Sequence, residues 1–237
     1  MSQSSPCYNI PTTEYEEKRH VFEMFRWINE KLKEMGEEAG FDTIYFERKG
    51  ANVKKFIEEA IPVAYLGLYY CRIADDIYIQ CKAGNQPYDA TLEIVGFRNR
   101  SLKIEVTTTE DDDSTLRRQS LSRRGFTYSS GPIRREGRDI VSEPEFVETL
   151  EEEKTLIDVA FDRFYEKVKF DSYDKETAIL VRVDSDRHLS LESRAELVNK
   201  THRYLMEHHP SIYGVCYCYV RDFIIDEVKE SDHWHRT

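Results

Sequence analysis

YDATLEIVG (Tyr88–Gly96) and SLKIEVTT (Ser101–Thr108) are two short segments in which apolar and polar residues alternate. Alternation with a period of two is typical of a β-strand that buries one of its faces. The four residues between them, FRNR, are enough for a turn. The two segments therefore predict a β-hairpin with leucine, isoleucine and valine on one face and acidic, lysine and threonine side chains on the other.

The elements on either side of this hairpin predict an α/β fold. Ahead of it lie two helical patterns and an extended segment, namely Glu14 to Met35, Asn52 to Leu66 and Tyr69 to Cys81. After it come a weak helix (Asp111 to Arg124), a loop to Ser142, a helix (Glu145 to Phe170), a strand (Thr177 to Asp184), a helix (Ser190 to His208) and a strand (Tyr213 to Val220). This order favours a mixed central sheet, with a three-stranded antiparallel meander plus further strands, flanked by helices.

Length and composition favour a folded chain with a substantial core. It has 237 residues, of which 40% are hydrophobic and 33% charged. We predict an N-terminal helical extension over residues 1–50 and an α/β domain over residues 51–237. The longest apolar run, Ala60 to Cys71, contains a proline and falls short of the ~20 residues that cross a membrane. The opening residues do not match a secretory signal, and five cysteines without CxxC spacing favour reduced thiols, so a cytoplasmic location is expected.

The distribution of charge says more than its total. The net charge of −11 argues against a protein that coats nucleic acid by bulk electrostatics. Residues 117–138, however, contain seven arginines and a single acid, which predicts a basic loop that contacts phosphate groups. The arginines assigned to nucleic-acid binding are Arg117, Arg118, Arg123, Arg124, Arg134 and Arg135. Docking of this loop on the chain's own acidic helix, or on an acidic partner protein, is an equal alternative.

The polar face of the hairpin carries the candidate site. A turn centred near Asn99 predicts that Glu93 lies opposite Glu105, where two like charges are unfavourable. A divalent metal would neutralise them, and so would Lys103, which lies two residues from Glu105 on the same face. An ordinary solvent-exposed face is the third interpretation.

Two acids of this region follow a familiar spacing. Asp89 within QPYD opens one strand, and Glu105 within KIEVT lies inside the next apolar strand. This pattern resembles the PD-(D/E)XK motif of the restriction-endonuclease-like superfamily. The order of helix, three-stranded meander, helix and strand from Asn52 to Asp184 resembles the core of the same superfamily. The resemblance implies a restriction-endonuclease-like fold and a metal-dependent phosphodiesterase that acts on DNA or RNA.

The resemblance also implies a metal site. Asp89 and Glu105 would hold Mg²⁺ or Mn²⁺, and Glu58 or Glu59 would add the acid that many members contribute from the preceding helix. Bound metal lowers the pKa of a water and screens charge on the scissile phosphate. Nucleic acid is the implied partner, no membrane is expected, and a homo-oligomer or a protein partner stays open.

The chain departs from the motif at its lysine. Thr107 occupies the position two after Glu105, and a hydroxyl cannot offset developing negative charge as an ammonium does. Lys103 is the predicted substitute on the same face, and Arg117 and Arg118 are further candidates. The alternative is a catalytically inactive nuclease-fold module that binds nucleic acid or a protein partner within a larger assembly.

Overall fold

The protein is described by a computed structural model over residues 7–96, 99–128, 131–145, 149–169, 172–184, 189–219 and 224–229. The helices are α1 (Thr12–Tyr15), α2 (Val21–Glu37), α3 (Phe41–Phe46), α4 (Val53–Lys55), α5 (Ile61–Tyr70), α6 (Asp112–Arg124), α7 (Thr149–Val168) and α8 (Leu191–His208). A π-helical turn, Phe56–Ala60, joins α4 to α5. The strands are β1 (Arg19–His20), β2 (Asp76–Cys81), β3 (Ala90–Val95), β4 (Arg100–Thr108), β5 (Ile133–Glu136), β6 (Asp139–Ser142), β7 (Thr177–Val183), β8 (Gly214–Tyr219) and β9 (Ile224–Val228).

Seven of the strands form one mixed sheet in the order β1-β2-β3-β4-β7-β8-β9. β2, β3 and β4 are an antiparallel meander, whereas β7 runs parallel to β4, and β8 parallel to β7. The predicted mixed sheet, built from a three-stranded meander plus further strands, is confirmed.

Helices cover both faces of this sheet because its central strands are apolar on both faces. All residues of β7 and β8 are buried, as expected of parallel strands between two helical layers. On one face, α2 and α5 pack over Ile79, Leu92 and Ile104. On the other face, α7 and α8 pack over alternate residues of β7 and β8, among them Ile179. The predicted flanking helices are therefore confirmed.

The N-terminal segment contributes to the same layers. β1 extends the sheet next to β2, and Val21 and Met24 of α2 are fully buried in the core beneath α5. The boundary at residue 50 between an extension and the α/β domain stays a prediction.

A π-helical turn interrupts the helical segment that precedes the meander, between α4 and α5. The Ile61 N–H donates to the Phe56 carbonyl, five residues back, just before Pro62, which has no N–H to donate. Pro62 lies within the first turn of α5, so it does not end the helix but coincides with the change of hydrogen-bond spacing. The consecutive residues Glu58 and Glu59 of this turn contact two different groups of side chains.

The hairpin register differs from the predicted one. Glu93 pairs with Ser101, and Thr91 pairs with Lys103, so Glu93 does not face Glu105. Sequence alternation defines which face a residue occupies but not the length of the turn. The observed pairing of β3 with β4 has its centre about two residues earlier than Asn99. Phe97 and Arg98, inside the predicted turn, lie outside the described residues. Glu93 instead pairs with Lys18 on an exposed part of the sheet.

Several boundaries also change. The predicted basic loop contains a second, two-stranded sheet made of β5 and β6. α5 continues to Tyr70, where extended chain was predicted, and β2 begins only at Asp76. The edge strands β1 and β9 were not predicted, because a strand of two residues carries no periodicity and β9 is half-buried on both faces.

Two sequence expectations concern the chain as a whole. The five cysteines are all free, as predicted. Within the described ranges, none of the helices combines the length and the hydrophobicity that a bilayer crossing requires.

Close packing of α5 on β2 gives a first test. A side chain added at Gly67 would meet Ile79 Cδ1 at 2.8 Å and Val21 Cγ2 at 3.2 Å, whereas nothing lies within 4 Å of the equivalent position at Gly36 in α2. We expect Gly67→Val to lower the free energy of unfolding by about 1–3 kcal/mol through overpacking. Gly36→Val, measured by the same urea titration, is expected to change it by about 0.5 kcal/mol or less. Equal effects of the two substitutions would contradict this packing.

Candidate active site

Three carboxylates from separate elements lie within electrostatic reach of one another. Glu59 comes from the π-helical turn, Asp89 immediately precedes β3, and Glu105 lies in the middle of β4. Burial, together with the negative charges of Asp89 and Glu105, raises the pKa of Glu59 to about 8. The fold therefore brings together three of the acids predicted from the sequence, and we call Glu59, Asp89 and Glu105 the acidic cluster.

The backbone of β4 fixes the position of Asp89. Its N–H donates to the Ile104 carbonyl at 2.8 Å, and its Oδ2 accepts a hydrogen bond from the Val106 N–H at 2.8 Å. Its carboxylate is thus held against the peptide that follows Glu105. Burial raises the pKa of Asp89, although the hydrogen bond from Val106 acts in the opposite direction.

Glu105 faces the helical layer that contains α7. It pairs in register with Ile179, whose side chain is buried beneath α7 and α8. Its carboxylate accepts a hydrogen bond from the Lys167 ammonium near the end of α7. Burial raises the pKa of Glu105, the contact with Lys167 lowers it, and the charge of Asp89 raises it again. Tyr173 is also nearby, and burial followed by the charge of Glu105 raises its pKa to about 12.

Two lysines supply positive charge to the acidic cluster. Lys167 acts on Glu105 and Asp89. The Lys55 Nζ lies 3.8 Å from a Glu59 oxygen and donates to the Lys82 carbonyl at 3.3 Å, and its charge lowers the pKa of all three acids. Lys55 is four residues before Glu59 on a predicted helix, a spacing that signals a pair. Nothing in the sequence connects Lys167 with Glu105, 62 residues apart.

The predicted substitute for the motif lysine lies elsewhere. Lys103 Nζ donates to Asp174 at 2.6 Å and lies 3.9 Å from Glu176, at the start of β7. These acids hold Lys103 away from the acidic cluster. Thr107 is on the same β4 face as Glu105, in register with Val181, and brings no charge.

Glu58 belongs to a different group of charges. Its carboxylate pairs with Arg48 and lies 3.9 Å from Lys54. Arg48 pairs in addition with Glu110, which also accepts from Arg118. Of the two acids predicted from the preceding helix, Glu59 joins Asp89 and Glu105, and Glu58 does not.

The arginines predicted to bind nucleic acid make contacts within the chain. Arg117 donates to the carbonyls of Tyr128 and Gly131, and Arg118 donates to the Phe46 carbonyl and pairs with Glu110. The remaining four also have partners within the chain, which are Glu47 for Arg123, Asp139 for Arg124, Glu136 and Glu143 for Arg134, and Gln119 for Arg135. Arg117 and Arg118 therefore help to hold α6 in place, and a nucleic-acid contact for any of the six arginines stays a prediction.

The donor set of the acidic cluster suits a hard cation, because carboxylate oxygens are the ligands that Mg²⁺ prefers. All three acids have raised pKa values, so a nearby cation would relieve the crowding of negative charge. Across the described ranges, no three acidic, histidine or cysteine side chains stand close enough to form a ready metal cage. The Lys167 ammonium donates a hydrogen bond to the Glu105 carboxylate, an oxygen of which would otherwise be available to a cation.

Comparison with known proteins adds no assignment. No protein-family model, no curated protein and no solved structure matches this chain.

The raised pKa of Glu59 predicts a dependence of stability on pH. Between its usual value of about 4.5 and about 8, the unfolded chain has lost the Glu59 proton while the folded chain retains it. Stability therefore falls as pH rises through this window. Each unit of displacement corresponds to about 1.4 kcal/mol, so the gain in free energy of unfolding from Glu59→Gln should be on the order of 3 kcal/mol larger at pH 8 than at pH 5.

Urea unfolding of both proteins at the two pH values measures this difference. Glu93→Gln, an exposed acid on β3, is the matched control and should leave the pH dependence of the wild type unchanged. Parallel pH profiles for wild type and Glu59→Gln would contradict the assignment.

Proposed function

We propose that this protein is a metal-dependent phosphodiesterase with a restriction-endonuclease-like core, acting on DNA or RNA. The observation that carries the proposal is the convergence of Glu59, Asp89 and Glu105 from three elements at one edge of the meander. Three partly buried carboxylates with raised pKa values are costly to the fold, and such groups are concentrated at functional sites. The topology of helix, antiparallel meander, helix and parallel strand supports the same proposal.

Each residue has a role in this proposal. Asp89 and Glu105 would hold Mg²⁺ or Mn²⁺, with Glu59 as a further ligand. When bound, the metal supplies a water of lowered pKa and screens the charge of the phosphate. The Val106 N–H holds the Asp89 carboxylate against the peptide that follows Glu105.

Lys167 takes the part of the missing motif lysine in this proposal. It reaches Glu105 from α7, on the β4 face that also carries Thr107. An ammonium at this place can stabilise negative charge that develops on the phosphate, as the motif lysine would. Metal binding at Glu105 would free Lys167 from its ion pair for this purpose.

One observation favours the second candidate, a catalytically inactive module of the same fold that binds nucleic acid or a protein partner. Lys55 and Lys167 already offset two of the three acidic charges, which is how a structural ion-pair cluster is stabilised. A structural cluster of this kind would bind no metal and would cleave nothing.

Metal binding is the direct test. Calorimetric titration with Mn²⁺ or Mg²⁺ should show one site per chain that Asp89→Ala and Glu105→Ala each abolish. Because Glu59 is largely protonated at pH 7, binding should also release a proton, seen as a heat that varies with the ionisation enthalpy of the buffer. Glu59→Gln should remove this release. Identical heats for wild type and both alanine variants would exclude the site.

Cleavage of plasmid and single-stranded substrates tests the role of Lys167. Lys167→Ala is expected to lower the metal-dependent rate by about 10²–10³-fold, since one charge-stabilising group has an effect of that size. Lys200→Ala, an ion-paired lysine on α8, is the matched control and should retain the wild-type rate.

A second substitution restores a lysine at the motif position. Thr107→Lys in the Lys167→Ala background should recover part of the rate, because position 107 lies on the same β4 face as Glu105. A metal-dependent rate that Lys167→Ala leaves unchanged would exclude Lys167 from the reaction. No cleavage by the wild type at any metal concentration would favour the inactive module.

A further inference from the structure

A cleft shares two elements with the acidic cluster, namely the π-helical turn and β4. It has a volume of about 480 Å³, within the range of roughly 300–1,000 Å³ that is usual for small-molecule sites. The π-helical turn contributes Glu58 to the cleft and Glu59 to the cluster. β4 contributes Thr108 to the cleft and Glu105 to the cluster. The cleft and the proposed metal site therefore draw on nearby residues of the same two elements.

α7 connects the two places most directly. Arg163 lines the cleft, and Lys167, four residues later, contacts Glu105. Residues four apart lie on one helix face and about 6 Å apart along the axis. One face of α7 thus presents an arginine to the cleft and a lysine to the acidic cluster.

Arginines surround the inner part of this cleft. Arg48 and Arg118 both pair with Glu110, and Arg163 donates to the Glu110 carbonyl at 3.1 Å. Burial and the charge of Arg48 lower the pKa of Arg118, which shows that the two guanidinium groups are crowded. Within the part of the chain that the structure describes, the Arg48 Nε has no hydrogen-bond partner, although only 6% of the side chain is exposed. An additional anion would relieve the crowding and accept from a buried donor.

The acids of the cleft differ in how far they are already engaged. Glu47 lies 3.0 Å from the Lys49 ammonium, and Asp111 accepts hydrogen bonds from the backbone and hydroxyl of Ser114 as the cap of α6. Asp112 lies at the cleft beside this cap. Arginines next to carboxylates suit a ligand that carries donors as well as phosphate oxygens, as the sugar and base of a nucleotide do.

We propose that this cleft binds the nucleotide next to the scissile phosphate, with Arg118 and Arg163 contacting its phosphate oxygens. The inference rests on the proposed function for its place in the reaction. It assigns substrate binding to the end of β4 and to α7 rather than to the arginines of β5 and β6. The Glu110 carboxylate holds Arg118, and the Glu110 carbonyl holds Arg163, in position before the nucleotide enters.

Calorimetry of the full chain in EDTA tests the cleft without any metal chemistry. Thymidine 5′-monophosphate is the probe, with inorganic phosphate and thymidine as separate arms. The mononucleotide should bind more tightly than either. Arg163→Gln should weaken it about tenfold or more, the cost of a charge-assisted hydrogen bond. Arg163→Lys keeps the charge but loses the planar guanidinium, so its affinity for the mononucleotide should lie between those of the wild type and Arg163→Gln.

Arg26→Gln, an exposed arginine on α2, is the matched control and should bind as the wild type does. Arg163 is the main variant because Arg118 helps to hold α6, and circular dichroism should show that Arg163→Gln remains folded. Absence of mononucleotide binding, affinity unchanged in Arg163→Gln, or equal affinity for inorganic phosphate would each overturn the inference.

The outcome is separable from that of the proposed function. Glu105→Ala should abolish cleavage and leave mononucleotide binding intact. Mononucleotide binding through Arg163 without cleavage by the wild type would refute the phosphodiesterase and keep the cleft. Cleavage without mononucleotide binding would refute the cleft and keep the phosphodiesterase.

Discussion

The site depends on the pairing of β4 along both of its edges. β3 pairs antiparallel on one side and β7 parallel on the other, so β4 cannot shift by one residue without breaking two ladders. A shift of one residue would also exchange its two faces. This constraint keeps Glu105 toward α7, places the Val106 N–H against Asp89, and brings Glu110 to the cleft.

Charge balance around β4 explains why three acids can share a buried edge. Burial disfavours each ionised carboxylate, and Lys55 and Lys167 compensate only in part. A proton on Glu59 supplies the remaining neutralisation at neutral pH. The two lysines therefore stabilise the folded state at this place, whereas the three carboxylates destabilise it. A group that costs stability without a structural need is typical of a functional site.

The second group of charges has the opposite character. Burial by itself would raise the pKa of Glu110, but the hydrogen bond from Arg48 and the charges of Arg48, Arg118 and Arg182 lower it, so this carboxylate stays ionised. Arg182 donates to Asp184 at 2.7 Å and to the Ile57 carbonyl at 3.3 Å, which ties the strand end of β7 to the π-helical turn. The group of charges around Glu110 and the acidic cluster thus differ in how their negative charges are balanced. Arginines neutralise Glu110, whereas the lysines near the acidic cluster neutralise only part of its negative charge.

The sequence by itself determined the fold class, the faces of the hairpin and the pair Asp89 and Glu105, because these depend on local periodicity and on spacing within one supersecondary unit. It did not determine the register of Glu93, since alternation does not count the residues in a turn. Only the tertiary structure separated Glu59 from Glu58, because the partners of these two consecutive side chains come from distant parts of the chain. The tertiary structure alone showed that Lys103 pairs with Asp174 and that Lys167 contacts Glu105. Such contacts join residues far apart in the chain, and their partners are chosen by packing of α7 on the sheet, which no local pattern encodes.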